Sequence, residues 1–213
     1  KQHELRLNNL QKVYPHSSGP TMAKVGFAKT FKGRKLRLVN KSIIPSIGGL
    51  DIQGSVEEHI EALKKLGANV VAVKLGGDLE KVDGLILPGG ESTAIGKMLR
   101  EYGLIEPIRA RVLGEGKPLA VWGTCAGAIL LAKEVLNRKP DIIGVLDVTI
   151  ERNAYGRQMD SFETEIFAPL VSQKPIAAVF IRAPRFVKLG ADVTVLSRYN
   201  GDPVMVRQVV GQN

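Results

Sequence analysis

The chain has 213 residues, of which 44% are hydrophobic and 24% are charged, and this composition is typical of one soluble globular domain. No run approaches the roughly 18 apolar residues that a membrane-spanning helix requires, and the start lacks the apolar segment of a secretory signal, so we expect a cytoplasmic protein. The single cysteine, Cys125, excludes an internal disulfide and a thiolate zinc cluster. It is either a buried spectator, which composition alone favours, or a reactive thiol.

The net charge of +9 is concentrated at the amino end of the chain. Residues 1–50 contain ten Lys and Arg against one acid, Glu4, whereas residues 51–213 contain 20 of each sign. The basic character therefore belongs to an extension, and we expect no nucleic-acid interface on the folded body.

Residues 1–42 are polar, rich in Lys and Asn, and interrupted by prolines and glycines, with no sustained periodicity. We interpret them as a flexible basic extension and assign residues 43–213 to the folded domain. An organelle-targeting peptide and a nucleic-acid-binding arm are the alternatives. The segment lacks the Arg and Ser dominance of the first and the interleaved aromatic residues of the second.

From residue 43 onwards, short apolar runs alternate with amphipathic helical stretches, which is typical of a doubly wound, mainly parallel α/β sheet. Gly49 interrupts the first strand and weakens it, and the sequence offers no reason for its presence. In chain order, the predicted elements are a strand at Ile47–Ile52, a helix from Val56 to the Gly67 stop, strands at Asn69–Lys74 and Gly84–Leu87, a helix from Ser92, a strand at Leu119–Gly123 and a helix from Ala126 to about Leu136.

Beyond Gly144 the pattern changes to extended segments, which we interpret as added or edge strands. The dipeptide Asn200-Gly201 between two apolar runs predicts a hairpin, because both residue types tolerate positive φ. The predicted strands are Val145–Ile150, Phe162–Phe167, Ala177–Ile181, Val193–Ser197 and Val204–Arg207.

The segment Gly123-Thr124-Cys125-Ala126-Gly127 joins a predicted strand to a predicted helix and matches a nucleophile elbow. In this device, small residues on both sides of the nucleophile permit a tight turn that lifts its side chain clear of the sheet. The amino end of the following helix favours thiolate over thiol, so Cys125 is a candidate nucleophile. The alternative is an ordinary glycine turn with a small cysteine, and this motif alone does not decide between them.

A second glycine-rich turn, Pro88-Gly89-Gly90, follows the predicted strand at Gly84–Leu87 and precedes a helix. Ligands of open α/β sheets bind at such strand ends. The backbone N–H groups of Gly90 and Ala126 could together form an oxyanion hole. A phosphate-binding turn is the alternative, but this turn lacks the P-loop lysine and the G-x-G-x-x-G spacing.

Five separated blocks of sequence carry a resemblance that extends roughly from Ile47 to Gln212. They are Leu50-Asp-Ile-Gln53-Gly54 with Glu58-His59, Leu87-Pro-Gly-Gly-Glu-Ser-Thr93, Gly123-Thr-Cys-Ala-Gly127, Glu151-Arg-Asn-Ala-Tyr-Gly-Arg-Gln158 with Ser161-Phe-Glu163, and Phe180-Ile-Arg-Ala-Pro184. In this order they resemble the class I (triad) glutamine amidotransferases, and within them the glutaminase subunits of pyridoxal 5'-phosphate synthases. Each block alone would be a weak signal, whereas coincidence of all five is improbable.

The resemblance implies a flavodoxin-like fold and an enzyme that hydrolyses L-glutamine. Cys125 would attack the side-chain amide, release ammonia to a partner synthase subunit and leave a thioester that water converts to glutamate. We expect neither a metal nor a cofactor, because the sequence has one thiol and no histidine cluster. Arginines would grip the substrate α-carboxylate and a carboxylate its α-ammonium. The residues expected to hold the substrate are Gln53, Gly90, Glu91, Ser92, Arg152, Ile181 and Arg182.

One feature of that family has no counterpart in the printed residues. The family's general base and its orienting acid lie in a His-Pro-Glu motif that would follow residues 204–213. The three histidines of this chain are His3, His16 and His59, and none matches that position. We expect His59, which lies in the first helix, to occupy the surface or a subunit contact.

Three interpretations remain open at this point. A carboxyl end missing from the printed residues is the favoured one, because the expected final strand and helix are missing together with the base. A non-catalytic relative that binds and regulates the synthase is the second. The third is a different class I glutaminase or a related cysteine hydrolase, against which the block at 152–163 argues.

Overall fold

The computed structural model describes residues 44–154 and 161–211. The predicted basic extension, residues 1–42, lies outside the described residues and stays a prediction. Residues Pro45–Asn213 form one compact unit. Within the described part of the chain, no helix has the length and apolar character needed to cross a membrane.

Four parallel strands form the central sheet of the described residues. They are β1 (Ser46–Leu50), β2 (Asn69–Val73), β3 (Gly84–Leu87) and β4 (Ala120–Gly123). Their spatial order is β2-β1-β3-β4, so the order reverses between β1 and β3. The carboxyl ends of all four strands meet at one edge, where such sheets bind ligands. β3 has its predicted bounds, and the ends of the other three differ from prediction by one or two residues.

Helices connect these strands and pack against them. They are α1 (Glu57–Lys65), α2 (Gly76–Leu79), α3 (Ser92–Glu101), α4 (Ile105–Val112) and α5 (Ala126–Leu131). The helix α3 begins at the predicted residue, and α1 is followed by the predicted stop, with φ of 77° at Gly67. The helix α4 was not predicted.

Gly49 in β1 permits α1 to pack closely on the sheet. A Cβ atom on Gly49 would lie 2.8 Å from Val56 and 3.2 Å from Ile60, closer than well-packed side chains approach. Gly49, which the sequence alone did not explain, therefore allows the start of α1 to pack directly on β1.

The main core lies between the central sheet and its helices. Aliphatic side chains dominate it, and burial of each contributes about 1.5–3 kcal/mol relative to exposure. The largest fully buried members are Leu50, Val73, Leu79, Leu85, Leu87, Ile95, Leu99, Leu104, Ile108, Leu130 and Ile143.

Arg111 of α4 is buried at 6% exposure and is held by backbone carbonyls. Its guanidinium donates to the carbonyl oxygens of Lys117 at 2.7 Å, Val82 at 2.9 Å, Pro118 at 3.2 Å and Leu79. These bonds compensate the loss of hydration that a buried charge suffers. They also tie together the segments that precede β3 and β4.

The remaining described strands form three small sheets, as expected for added strands. They are β5 (Ala132–Val135), β6 (Leu146–Glu151) and β9 (Arg185–Leu189) in one sheet, β7 (Phe162–Ile166) and β8 (Ile176–Phe180) in the second, and β10 (Val193–Tyr199) and β11 (Asp202–Gln208) in the third. The predicted hairpin is confirmed, with positive φ at both Asn200 and Gly201. The strand β9 was not predicted.

The prediction of a helix from Ala126 to about Leu136 was wrong beyond Leu131. Ala132 has extended backbone, with φ of −61° and ψ of 145°, and begins β5. Local sequence favours a longer helix, but β5 pairs with β6 in a parallel ladder and obtains its backbone hydrogen bonds there. Tertiary pairing therefore outweighs the local helical preference.

Candidate active site

The two glycine-rich turns lie side by side at the carboxyl edge of the central sheet. The strands β3 and β4 pair with Leu87 opposite Gly123, so the turns that follow them are neighbours. A Cβ atom built on Gly89 would lie 3.6 Å from the Cβ of Cys125. The fold therefore brings the predicted nucleophile and the predicted oxyanion turn together.

Cys125 occupies the tight turn that the elbow motif predicts. Its φ is 49° and its ψ is −104°, a conformation that costs a non-glycine residue free energy. A Cβ on Gly123 would lie 2.5 Å from the backbone of Gly127, and a Cβ on Gly127 would collide with the carbonyl of Leu87. Both glycines are therefore needed for the chain to reverse beneath Cys125. The cysteine is exposed, not a buried spectator.

The environment of Cys125 raises the pKa of its thiol. Withdrawal of the thiol from water is the largest cause, and it outweighs the opposing effects of the Ala126 N–H, the Arg182 charge and the Gly90 N–H. The expectation that the helix terminus leaves a thiolate is therefore wrong in its net direction. A raised pKa makes the thiol a weaker nucleophile unless a base takes its proton.

The backbone N–H groups of Gly90 and Ala126 each lower the pKa of the Cys125 thiol, so both lie near it. They come from different turns, one after β3 and the other after β4. Two N–H groups beside one nucleophile are the donors that an oxyanion hole requires.

The segment before α1 packs against the oxyanion turn. The N–H of Ser55 donates to the carbonyl oxygen of Gly89 at 3.1 Å, and Gly54 lies against the same carbonyl. The side-chain oxygen of Gln53 lies 3.5 Å from the position that a Cβ on Gly90 would occupy. Gln53 is therefore beside the predicted oxyanion donor.

Glu91 and Arg152 form an ion pair at the start of α3. The carboxylate of Glu91 accepts from the N–H groups of Thr93 at 3.1 Å and Ala94 at 2.7 Å, and from Arg152 Nη2 at 2.9 Å. Burial alone would raise the pKa of Glu91, but the two N–H groups, the Thr93 hydroxyl and the Arg152 charge together lower it. Glu91 is thus an ionised helix cap as well as a candidate substrate ligand.

Ser92 differs from its predicted neighbours because its side chain is 2% exposed. Its hydroxyl is inaccessible in this arrangement and has no hydrogen-bond partner among the described residues. Contact between Ser92 and glutamine would have to use the backbone.

Arg152 and Arg182 lie on two adjoining turns. The N–H of Ala154 donates to the carbonyl of Ala183 at 3.1 Å, which joins the turn after β6 to the turn after β8. Arg182 has a φ of 46°, and Ile181 and Arg182 line the same groove as Cys125. The fold thus brings together the turns that carry these two arginines, which are 30 positions apart in the sequence.

An apolar groove of about 1110 Å³ opens beside Cys125. Residues of β4, β8 and β11 line it, and β4 is the outer strand of its sheet among the described residues. Trp122, Val179 and Ile181 remain 47%, 58% and 48% exposed along it. The groove is larger than one glutamine molecule and keeps one side of the thiol away from water.

His59, for which a surface position or a subunit contact was predicted, lies beside the nucleophile turn. The residue is half-buried, and its Nε2 lies 3.2 Å from Oγ1 of Thr124, the neighbour of Cys125. The sequence contained a signal for this contact, because His59 follows the buried Val56 by three residues and therefore shares its helix face. No cluster of three or more His, Cys, Asp or Glu suited to a metal occurs in the described ranges.

The sequence profile of the SNO glutamine amidotransferase family matches residues 49–212, which is most of the chain. The chain belongs to this family. Membership of the SNO glutamine amidotransferase family confirms the resemblance read from the five sequence blocks, and it agrees with the glutaminase chemistry expected for Cys125.

Several proteins are similar to this member of the SNO glutamine amidotransferase family. The pyridoxal 5'-phosphate synthase subunit PdxT of Thermotoga neapolitana is 52% identical over 162 residues, which cover 76% of this chain and 85% of that protein. The protein of the same name from Parafrankia sp. is 50% identical over 166 residues, with coverages of 77% and 80%. A crystal structure of a glutamine amidotransferase is 48% identical and superposes with a TM-score of 0.71, covering 76% of this chain and 84% of that one. The predicted α/β fold class is confirmed.

Proposed function

We propose that this chain is the glutamine-hydrolysing subunit of a pyridoxal 5'-phosphate synthase and that Cys125 is its nucleophile. The observation that carries the proposal is the position of Cys125, which occupies a tight turn directly beside the Gly89–Gly90 turn, where a Cβ on Gly89 would lie 3.6 Å from its own Cβ. Relatives that are half identical to this chain are named as that synthase subunit.

In the proposed reaction the sulfur of Cys125 attacks the side-chain amide carbon of glutamine. A C–S bond forms, the carbonyl oxygen becomes an oxyanion, and the N–H groups of Gly90 and Ala126 stabilise it. The C–N bond then breaks, and ammonia leaves after receiving a proton. Water attacks the thioester in a second step and releases glutamate.

The charged residues around the turn would hold the ends of the substrate. Arg152 and Arg182 carry the positive charge that an α-carboxylate requires, and Glu91 carries the negative charge that an α-ammonium requires. Arg182 also lowers the pKa of Cys125, so its charge acts close to the sulfur. Gln53 and Ile181 would complete the contacts of the substrate with the two turns.

The raised pKa of Cys125 makes a general base necessary for rapid turnover. A positioned base typically contributes about 10²–10⁴ in rate. By resemblance, the base would be the histidine of a His-Pro-Glu segment carboxyl-terminal to the printed residues. The outer edge of β4, which runs into Cys125, offers backbone groups to a strand that carried such a histidine to the site.

The proposed partner is the synthase subunit that receives the ammonia. Without that subunit, the ammonia that the glutaminase releases would escape to solvent. We also propose a cytoplasmic location. A chain with one cysteine gains nothing from an oxidising compartment, since it cannot form an internal disulfide.

The test compares glutamate release by two chains, the printed residues and the same residues extended by a His-Pro-Glu segment, each with excess synthase subunit. We expect steady release from the extended chain and none above background from the printed residues. Cys125→Ala in the extended chain should abolish release. Equal rates from both chains would mean that another group, with His59 the candidate, serves as the base, and release by the Cys125→Ala variant would disprove the proposed mechanism.

A further inference from the structure

The amino end of α1 contacts both turns of the candidate site. Ser55 binds the oxyanion turn through its N–H, at 3.1 Å from the carbonyl of Gly89. His59 reaches the nucleophile turn through its ring, at 3.2 Å from Thr124 Oγ1. Two residues only four positions apart thus hold two turns that are more than 30 positions apart in the sequence.

Thr124 is held at three points. Its N–H donates to the carbonyl of Leu87 at 3.1 Å, and its carbonyl accepts from Gly127 at 2.8 Å. Those two bonds fix the backbone on either side of the turn, and the contact with His59 fixes the side chain. Cys125 follows directly in a conformation that persists only where the surrounding structure enforces it.

We infer that His59 is a positioning residue for Cys125. Its imidazole holds the Thr124 hydroxyl and thereby keeps the next residue, Cys125, in its strained conformation. This inference rests on the proposed function, in which Cys125 is the nucleophile. It goes beyond that function by giving a role to a histidine outside the triad. His59 acts through Thr124 and does not touch the substrate.

The hydrogen-bonding groups of the His59–Thr124 contact determine which substitutions are informative. A neutral imidazole nitrogen accepts from the Thr124 hydroxyl or donates to it, according to its tautomer. A glutamine amide offers both a donor and an acceptor, so His59→Gln should preserve the contact. His59→Leu retains bulk but has no hydrogen-bonding group, and Thr124→Val removes the hydroxyl while preserving its shape.

The measurement is the rate at which Cys125 is alkylated, followed by intact-protein mass. Two probes are used, a chloroketone analogue of glutamine and iodoacetamide, which lacks the α-ammonium and α-carboxylate groups of the substrate. We expect His59→Leu and Thr124→Val each to slow both reactions by about tenfold, because each removes the same hydrogen bond. His59→Gln should react within about twofold of the wild type. The double variant should be no slower than either single variant, since the second substitution has no bond left to remove.

Glu61→Gln is the matched control, because Glu61 is an exposed residue of the same helix. It should leave both rates unchanged. Urea denaturation of every variant separates a local effect from loss of fold. Slow alkylation of both His59→Leu and His59→Gln would overturn the positioning role. Alkylation rates that fall in step with the free energy of unfolding would overturn it as well.

The two probes distinguish failure of this inference from failure of the proposed function. A wild-type chain that resists the chloroketone but reacts with iodoacetamide would contradict the glutaminase proposal. The iodoacetamide rates of His59→Leu and His59→Gln still decide the role of His59 in that case. Equal iodoacetamide rates for wild type and His59→Leu would show that His59 does not position the thiol.

Discussion

Arg152 Nη2 lies 2.9 Å from Glu91 Oε1, although the two residues are 61 positions apart in the sequence. Arg152 also donates to Thr93 Oγ1 at 3.1 Å. These bonds attach the turn after β6 to the first turn of α3, beside the Gly89–Gly90 turn. In the proposed role, Arg152 would meet the substrate carboxylate already oriented, so that less conformational entropy would be lost on binding.

Arg152→Ala should raise the KM for glutamine at least tenfold and change kcat less. The substitution removes a charged contact to the substrate, which is worth about 1.5–3 kcal/mol, but leaves Cys125 in place. Steady-state kinetics of the extended chain with synthase measure both constants. Arg198→Ala is the control, because Arg198 is an exposed residue of the β10–β11 hairpin whose guanidinium donates to the carbonyl of Gly201. A fall in kcat at unchanged KM would contradict the assignment.

Alkylation of Cys125 by iodoacetamide should accelerate with pH, with a midpoint above the ordinary thiol value of about 8.5. The direction follows from the raised pKa, since the thiolate then forms only at higher pH than in a free cysteine. Arg182→Gln should move the midpoint further up, because the Arg182 charge lowers this pKa. Arg152→Gln should leave it in place, as Arg152 is absent from the causes that act on the thiol. A midpoint below the ordinary value would refute the direction.

Glutamate release by the extended chain should increase at least tenfold when the synthase subunit is added. The turn that carries the oxyanion donor contains Pro88-Gly89-Gly90, and its backbone freedom lets a partner order it. Turnover is measured with and without the synthase at saturating glutamine. Equal turnover in both conditions would mean that the site is already fully formed in the free subunit.

Arg111→Met should lower the free energy of unfolding by about 2–4 kcal/mol, because it leaves several buried carbonyl groups without donors. The comparison is Arg100→Met, whose guanidinium is 59% exposed and pairs with Asp141 at the surface. That substitution should cost less than about 1 kcal/mol. Urea denaturation monitored by circular dichroism measures both losses. Similar losses in the two variants would show that the carbonyl contacts of Arg111 contribute little.

Much of the central sheet could be predicted from the residues alone. The strand at Gly84–Leu87 and the helix start at Ser92 were both located correctly, since an apolar run, a glycine-rich turn and an amphipathic stretch are local signals. The same holds for the Asn200-Gly201 hairpin. The end of α5 was misjudged because β6, which begins at Leu146, lies well outside the local window and determines where the helix stops.

The sequence by itself determined the nucleophile turn, since Gly123 and Gly127 around Cys125 leave the backbone one tight path between strand and helix. Only the tertiary structure decided the ionisation of that cysteine. The helix terminus favours a thiolate, but removal of the thiol from water is the larger effect on its pKa, and it depends on how the surrounding segments pack. The contact of His59 with Thr124 spans 65 positions and depends on the packing of α1 against Gly49. Distances of this kind arise when separated segments pack together, and no local pattern encodes them.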